Sequence, residues 1–281
     1  MSQDDLARAH AFERVTLERT STDVVPFPGG VAFLNGTFSQ RYDSNLLWID
    51  DPADAPAERW LAEADRILGS RGYRHRKVVV PDPDAQRRLE AGFADHGYAV
   101  DRAVLMVQRA GPERSFDLSS VEEVSFEEAR PLLEAIARRQ PWSNGADVVR
   151  ELTGFRAMVA RDQGTRVFAT RVDGELVGCC ELHVQGDAAE IDAVDTMEEF
   201  RNRGLASAFV LAAAAAARDA GAPWVHLWAD AEDWPQHWYG RLGFVPVATV
   251  ADFLRWPLDE GPQGSADRLV ASEGAKSPDQ G

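Results

Sequence analysis

At 281 residues, 44% of them hydrophobic, the chain is long enough for one large or two ordinary globular domains. Its 46 acidic and 30 basic residues leave a formal charge of −16, which argues against a partner held through nucleic-acid phosphates. No apolar run approaches the roughly 20 residues that cross a bilayer, and Met1 to Val15 lacks the apolar core of a signal peptide, so no membrane partner is expected.

The first 110 residues carry an α/β pattern. Val31-Ala32-Phe33-Leu34 and Leu46-Leu47-Trp48-Ile49 read as strands. Pro56 to Leu68 reads as a helix, with Trp60, Leu61, Ala64, Ile67 and Leu68 on one face. Lys77 to Val80 reads as a buried strand, Asp82 to His96 as a second helix and Tyr98 to Gln108 as a strand. The polar stretch Arg109-Ala110-Gly111-Pro112-Glu113-Arg114 suits a linker and sets a first domain at 1–112.

A second domain is expected at 119–258. Val121 to Val124 opens it as a strand. Phe126 to Arg139 reads as a helix in which Ser125 and Glu128 form a capping box, or which starts later, near Pro131. Gln140 to Gly145 is a loop and Ala146 to Asp162 a second helix. Arg166 to Val172, the turn Asp173-Gly174 and Leu176 to Val184 read as a β-hairpin. Cys179 and Cys180 are adjacent inside that apolar strand pattern and read as packing residues in a reducing cytoplasm. Ala188 to Thr196 alternates as a strand does, and Leu205 to Ala220 is an apolar, alanine-rich helix. Trp224 to Trp228 is a buried strand, and an acidic helical segment from Glu232 leads to Tyr239. The polar tail at 259–281 has little to bury and should be disordered.

Helix, buried strand, helix, Gly-aromatic and strand describes both Pro56 to Gln108 and Gly204 to Arg255. The order suggests a diverged tandem repeat in which Gly97-Tyr98 matches Gly243-Phe244. At that offset Tyr239 becomes Phe93, and the basic turn before the alanine-rich helix becomes Ala55-Pro56.

That turn, Arg201-Asn202-Arg203-Gly204-Leu205-Ala206, joins a strand to a helix. Such a junction aims several backbone N–H groups at one spot with the helix dipole behind them, which favours a phosphate. Gly204 permits close approach and Ala206 keeps bulk away. The pair R-x-x-G-x-A and Tyr239-Gly240-Arg241-Leu242-Gly243-Phe244, with a strand between, resembles the GNAT superfamily of acyl-CoA-dependent N-acyltransferases over Val121 to Pro257.

The resemblance implies an α/β (α+β) GNAT fold, a mixed central sheet flanked by helices, with a second, smaller GNAT-like α/β domain at the N-terminus that has lost its chemistry. It implies acetyl-CoA as co-substrate and no metal. The pantetheine would lie along Val194-Asp195-Thr196, and the pyrophosphate on the turn formed by Arg201, Asn202, Arg203, Gly204, Leu205, Ala206 and Ser207. Glu198 departs from a frequent proline, and Glu232 from a frequent asparagine. Tyr239 would protonate the departing thiolate. Glu190 matches the general base of related histone acetyltransferases; Asp192 shares its face on a regular strand and is the alternative, with a water relay serving either, and a bulge would re-aim one of them.

Trp142, in the loop where the family shapes its acceptor pocket, stands with Glu190, Asp192, Asp195, Asp230, Glu232 and Asp233 in a setting that suits a cationic amine. His226 reads as a satisfied core or edge histidine, and no cluster has metal spacing. The expectation is a cytoplasmic N-acetyltransferase, monomer or homodimer, that moves an acetyl group to a primary or secondary amine of a small molecule or peptide by direct attack in a ternary complex. The alternative is an acyl-CoA-binding sensor or interaction protein on the same fold.

Overall fold

A computed structural model describes residues 2–139, 145–232 and 235–257. The expected tail and the Gln140–Asn144 segment with Trp142 lie outside the described residues. In chain order the elements are α1 (Ser2–Thr20), β1 (Asp23–Phe27), β2 (Gly30–Leu34), β3 (Leu46–Ile49), α2 (Ala57–Ile67), β4 (Arg76–Val79), α3 (Pro83–Asp95) and β5 (Ala99–Gln108). They are followed by β6 (Val121–Val124), α4 (Phe126–Arg139), α5 (Ala146–Gln163), β7 (Arg166–Val172), β8 (Glu175–Gln185) and β9 (Ala188–Thr196). The last are α6 (Leu205–Asp219), β10 (Trp224–Asp230), α7 (Pro235–Arg241) and β11 (Phe244–Arg255). Among the described residues no helix is long and apolar enough to cross a membrane, and no group of three His, Cys, Asp or Glu side chains could hold a metal ion.

The chain forms two compact units, and neither is a continuous segment. The N-terminal unit holds His10–Ala103 together with the described residues after Ala248; the C-terminal unit holds Val104–Ala248 with the residues up to Ala9. This differs from the expected domains at 1–112 and 119–258. The reason is strand pairing. β4 needs a partner on its outer edge, and residues of β11 supply it in antiparallel register, Asp252 opposite Val79 and Arg255 opposite Arg76. The N-terminal unit thus takes one strand of its sheet from the far end of the sequence.

In the N-terminal unit the strand order is β1-β2-β3-β4-β11. β1, β2 and β3 are antiparallel neighbours, whereas β3 and β4 run parallel. The sequence pattern assigned no element to 2–27, yet α1 forms there and buries Leu6, Ala9, Phe12 and Leu17 among charged positions. Trp60, Ala64 and Ile67 of α2 pack with Leu89 and Phe93 of α3 around Phe253 of β11. Lys77, only 3% exposed, is held by Asp43 and by Asp252, whose Oδ2 lies 3.3 Å from Nζ.

In the C-terminal unit the order is β11-β5-β10-β9-β8-β7-β6. β6 to β9 form antiparallel pairs, and β9–β10 is parallel. The Asp173-Gly174 turn joins β7 to β8 with both residues at positive φ, 52° and 88°, as a two-residue hairpin requires. α6 covers one face with Phe209, Val210, Ala213, Ala214 and Ala217. α4 covers the other through Ala129, Leu132, Leu133 and Ile136. α4 begins at Phe126, so Pro131 lies inside the helix and does not start it. The Glu128 N–H donates to Ser125 Oγ, but the Glu128 carboxylate pairs with Arg171, so the reciprocal half of the capping box is replaced by an ion pair. The expected helical segment after Glu232 is shorter than the acidic pattern suggested: the Glu232 N–H donates to Asp230 in a bend, and α7 begins at Pro235.

Removing the charge of a buried partner leaves its counter-ions uncompensated. Lys77→Met should therefore destabilise the protein by about 3–5 kcal/mol, read as a lowered midpoint in urea unfolding. Adding Asp43→Asn and Asp252→Asn should restore most of the loss; no recovery in the triple variant would contradict the assignment.

Candidate active site

The site is built where two parallel strands separate. β9 and β10 pair through Trp224 with Ala188, Val225 with Ala189 and His226 with Glu190. Beyond that row each strand continues, to Thr196 and Asp230, without further pairing to the other. On the other side β9 stays hydrogen-bonded to β8, but with an irregularity: Asp192 faces Glu181 and Asp195 faces Cys179. Three steps on β9 therefore match two on β8, which is a bulge at Ala193 and Val194 opposite Cys180. Ala193 adopts φ +53°, a conformation that glycine takes more readily.

The bulge decides which side chains meet. Ala189, Ile191 and Val194 pack into the α6 core with Cys180 and Leu182. Glu190, Asp192 and Asp195 then lie on the opposite face, across from His183, Glu181 and Cys179 of β8. A regular strand would have placed Asp195 in the α6 core.

The electrostatics of this face are uneven. Glu181, 3% exposed, is held by Arg156 of α5 through Nε at 2.9 Å and Nη2 at 2.8 Å. Burial raises its pKa, yet the Arg156 charge and the hydrogen bonds of His183 and Arg156 bring it down to about 2. Asp192 receives the N–H of Ala193 at 2.7 Å, but burial and the neighbouring Glu181 charge raise its pKa above the ordinary value. Burial also raises Asp195 to about 6, against the Thr196 N–H at 2.6 Å and Arg201, whose Nη2 is 3.7 Å away.

At the start of α6, Gly204 is the N-cap at φ +79° and has no side chain to cap with, so the amides of Leu205, Ala206 and Ser207 remain available. A Cβ built on Gly204 meets nothing within 4 Å, so its α-face is open. Asn202 is also at positive φ, +61°. Arg201 Nε donates to the Thr196 carbonyl at 3.0 Å and Arg203 Nη2 to Glu199 at 3.1 Å, which ties the turn to its flanks. Ser207 Oγ accepts the Trp238 indole N–H at 3.0 Å, fastening α7 to the first turn of α6.

Tyr239 is buried against Phe244, ring centroids 5.8 Å apart. Burial raises its phenol pKa well above 10, and the nearby carboxylates Asp192 and Asp195 add to this, so it is protonated at neutral pH. Cys179 and Cys180 are buried free thiols, with Cys179 pushed up to about 12 by burial, which leaves them unreactive. His226 is fully buried, its Nδ1–H donating to the Ala189 carbonyl at 2.9 Å, and burial lowers its pKa to about 3.

The structure thus brings Glu190, Asp192, Asp195, Thr196 and the Arg201–Ser207 turn to one opening in the sheet. Trp142 and Asp233 lie outside the described residues. Arg156, Glu181 and His183 were not singled out in the sequence; the signal was the alternation of Glu181 and His183 within an apolar strand, anchored by the Asp173-Gly174 turn.

Residues 129–244 match the Acetyltransferase (GNAT) family. No curated protein matches the chain in sequence. Among solved structures, a conserved protein of unknown function from Staphylococcus epidermidis is 17% identical with a TM-score of 0.64, over 84% of this chain and 94% of its own. A GCN5-related N-acetyltransferase from Kribbella flavida is 17% identical with a TM-score of 0.58, over 90% of this chain and 96% of its own. A tandem GNAT protein from the clavulanic acid biosynthesis pathway is 14% identical with a TM-score of 0.52, over 80% of this chain and 78% of its own. At these identities the likeness is one of fold.

A carboxyl whose folded pKa exceeds its unfolded value binds an extra proton in the native state, so its stability contribution is intact at low pH and lost as pH rises through the folded value. For Asp195 the window runs from 3.8 to about 6. Asp195→Asn should accordingly stabilise the protein by about 2–3 kcal/mol at pH 8 and leave it unchanged near pH 3.5, in paired urea titrations. Equal stability of the two proteins at both pH values would contradict this.

Proposed function

We propose that the chain, whose residues 129–244 match the acetyltransferase (GNAT) family, is an N-acetyltransferase taking the acetyl group of acetyl-CoA to a primary or secondary amine. The observation that carries the reading is the opening between β9 and β10, with the uncapped start of α6 and the protonated, buried Tyr239 in the core cluster on one face of it. When bound, acetyl-CoA supplies a thioester, an acyl group activated toward amines.

The chain's own residues do the rest. Amides of Asn202 to Ser207 suit the pyrophosphate, because a helix start concentrates partial positive charge and Gly204 leaves the approach open. The edge of Val194, Asp195 and Thr196, unpaired to β10, offers backbone groups to the pantetheine. The amine must be neutral to attack, and Glu190 or Asp192 takes its proton. We take Glu190 as the base, because it is the last residue of β9 paired with β10 and so borders the opening. The C–S bond then breaks, and Tyr239 gives its proton to the departing sulfur.

The carboxylates Glu190, Asp192, Asp195 and Asp230 give the opening a negative wall that suits a cationic acceptor. The N-terminal unit serves as scaffold. Its counterpart of the phosphate turn is closed by Arg88, which donates to the carbonyls of Ala53 and Ala55. The α2 start is pressed on α3, with a Cβ on Gly92 only 2.6 Å from Ala57 Cβ. Phe93, at the Tyr239 position, stacks on Phe253 at 4.2 Å and has no proton to give. The similarity to a tandem GNAT protein supports the same reading.

Calorimetry should find one acetyl-CoA site, abolished by Gly204→Glu through bulk and charge. Tyr239→Phe should keep that affinity and lower kcat by about 10²- to 10⁴-fold in a thiol-release assay over an amine panel. A second site, binding by Gly204→Glu, or normal turnover by Tyr239→Phe would each count against the proposal.

A further inference from the structure

Three strands carry one row of ionisable side chains: His183 on β8, Glu190 on β9 and His226 on β10 are directly paired across the sheet. Opposed side chains in such a row sit about 5 Å apart at Cβ and are neighbours on one face. The two histidines are not equivalent. His226 donates Nδ1–H to the Ala189 carbonyl, and its Nε2 faces Glu190 Oε1 at 3.8 Å. Fully buried, it stays neutral through the physiological range.

His183 has the opposite setting. Its Nε2 lies 3.5 Å from Glu181 Oε2, and Glu181 is itself clamped by Arg156. Nδ1 lies 3.1 Å from Thr165 Oγ1, a hydroxyl that can accept from Nδ1–H in the neutral ring and in the imidazolium. The charged and titratable groups facing His183 are Glu181 on its own strand, Glu190 and Asp192 on β9, Arg156 on α5 and His226 on β10. Burial disfavours its protonation, yet Glu181, Asp192 and Glu190 outweigh that and raise its pKa above the ordinary 6.5.

We propose that His183 is the proton relay of the transfer reaction, receiving through Glu190 the proton released by the attacking amine, with Arg156 and Glu181 as the residues that position it. The inference rests on the acetyl-transfer reading above. In the balanced step the amine nitrogen bonds to the acyl carbon and the C–S bond breaks. The sulfur takes the Tyr239 proton, and the amine proton passes to the Glu190 carboxylate and on to His183 Nε2, the basic nitrogen when Nδ1–H donates to Thr165 Oγ1. Solvent then restores Tyr239 and His183, so that one proton lost by nitrogen balances one gained by sulfur. The ionised Glu181, 3.5 Å from Nε2, stabilises the imidazolium.

Only neutral His183 accepts a proton, so kcat/KM should fall on the acid side with an apparent pKa above 6.5. His183→Gln should lower kcat by about 100-fold and remove that limb, with calorimetric acetyl-CoA affinity unchanged as a check on folding. Glu181→Gln, which lowers the imidazole pKa, should move the limb to lower pH. Imidazole NMR of the free protein supplies a readout without turnover: the resonance lost in His183→Gln should titrate above 6.5 in the wild type and lower in Glu181→Gln. An active wild type whose His183→Gln variant keeps its rate and pH profile overturns the relay alone. A wild type that binds acetyl-CoA and turns over no amine overturns the transfer reading and the relay with it.

Discussion

The extra residue in β9 is the constraint on which the site depends. Ala193 takes a left-handed conformation that costs a non-glycine residue about 1–2 kcal/mol, and with Val194 it occupies the space opposite Cys180. In return the strand changes face. Val194 goes into the α6 core and Asp195 joins Glu190 and Asp192 on the far side. Without the bulge a carboxylate would replace a valine among Ile191, Phe209 and Val210, a burial that a core does not tolerate. The bulge also marks the stretch where β9 keeps β8 as partner while losing β10.

The acids of this face show how one environment produces opposite pKa shifts. Burial acts on Glu181 and Asp195 alike, raising both. What separates them is Arg156, whose guanidinium lies against Glu181 at 2.8 Å, whereas the Arg201 guanidinium is 3.7 Å from Asp195. Pairs of groups driven apart in this way are common where proton transfer occurs, and they cost stability that the rest of the fold must supply. Packing elsewhere supplies it, in the apolar α6 interface and in the aromatic stack of Phe93 on Phe253.

The local parts of this arrangement were legible in the sequence. Strand, glycine turn and helix around Gly204 follow from neighbouring residues, as do the hairpin at Asp173-Gly174 and the apolar face of α2. The missing pieces are non-local. α1 shows a sparse apolar spacing that carries little signal until Leu17 meets Phe33 and Trp48. Strand exchange through β11 has no sequence mark, because Asp252 and Phe253 read equally well in either unit. Arg156 and Glu181 are 25 residues apart, and only the registers of β7, β8 and α5 make them partners. Asp195 was placed with Glu190 and Asp192 by strand membership; it is the bulge, invisible in an alternating pattern, that gives them a common face.

The central claim is that the opening beside the Ala193 bulge holds the thioester between Tyr239 and Glu190. A crystal structure with acetyl-CoA tests it directly. The account predicts the pyrophosphate on the amides from Asn202 to Ser207, the pantetheine along Val194 to Thr196, and the sulfur within hydrogen-bond distance of the Tyr239 hydroxyl. Acetyl-CoA bound elsewhere, or a sulfur out of reach of Tyr239 with its carbonyl on the α6 side of β9, would contradict it.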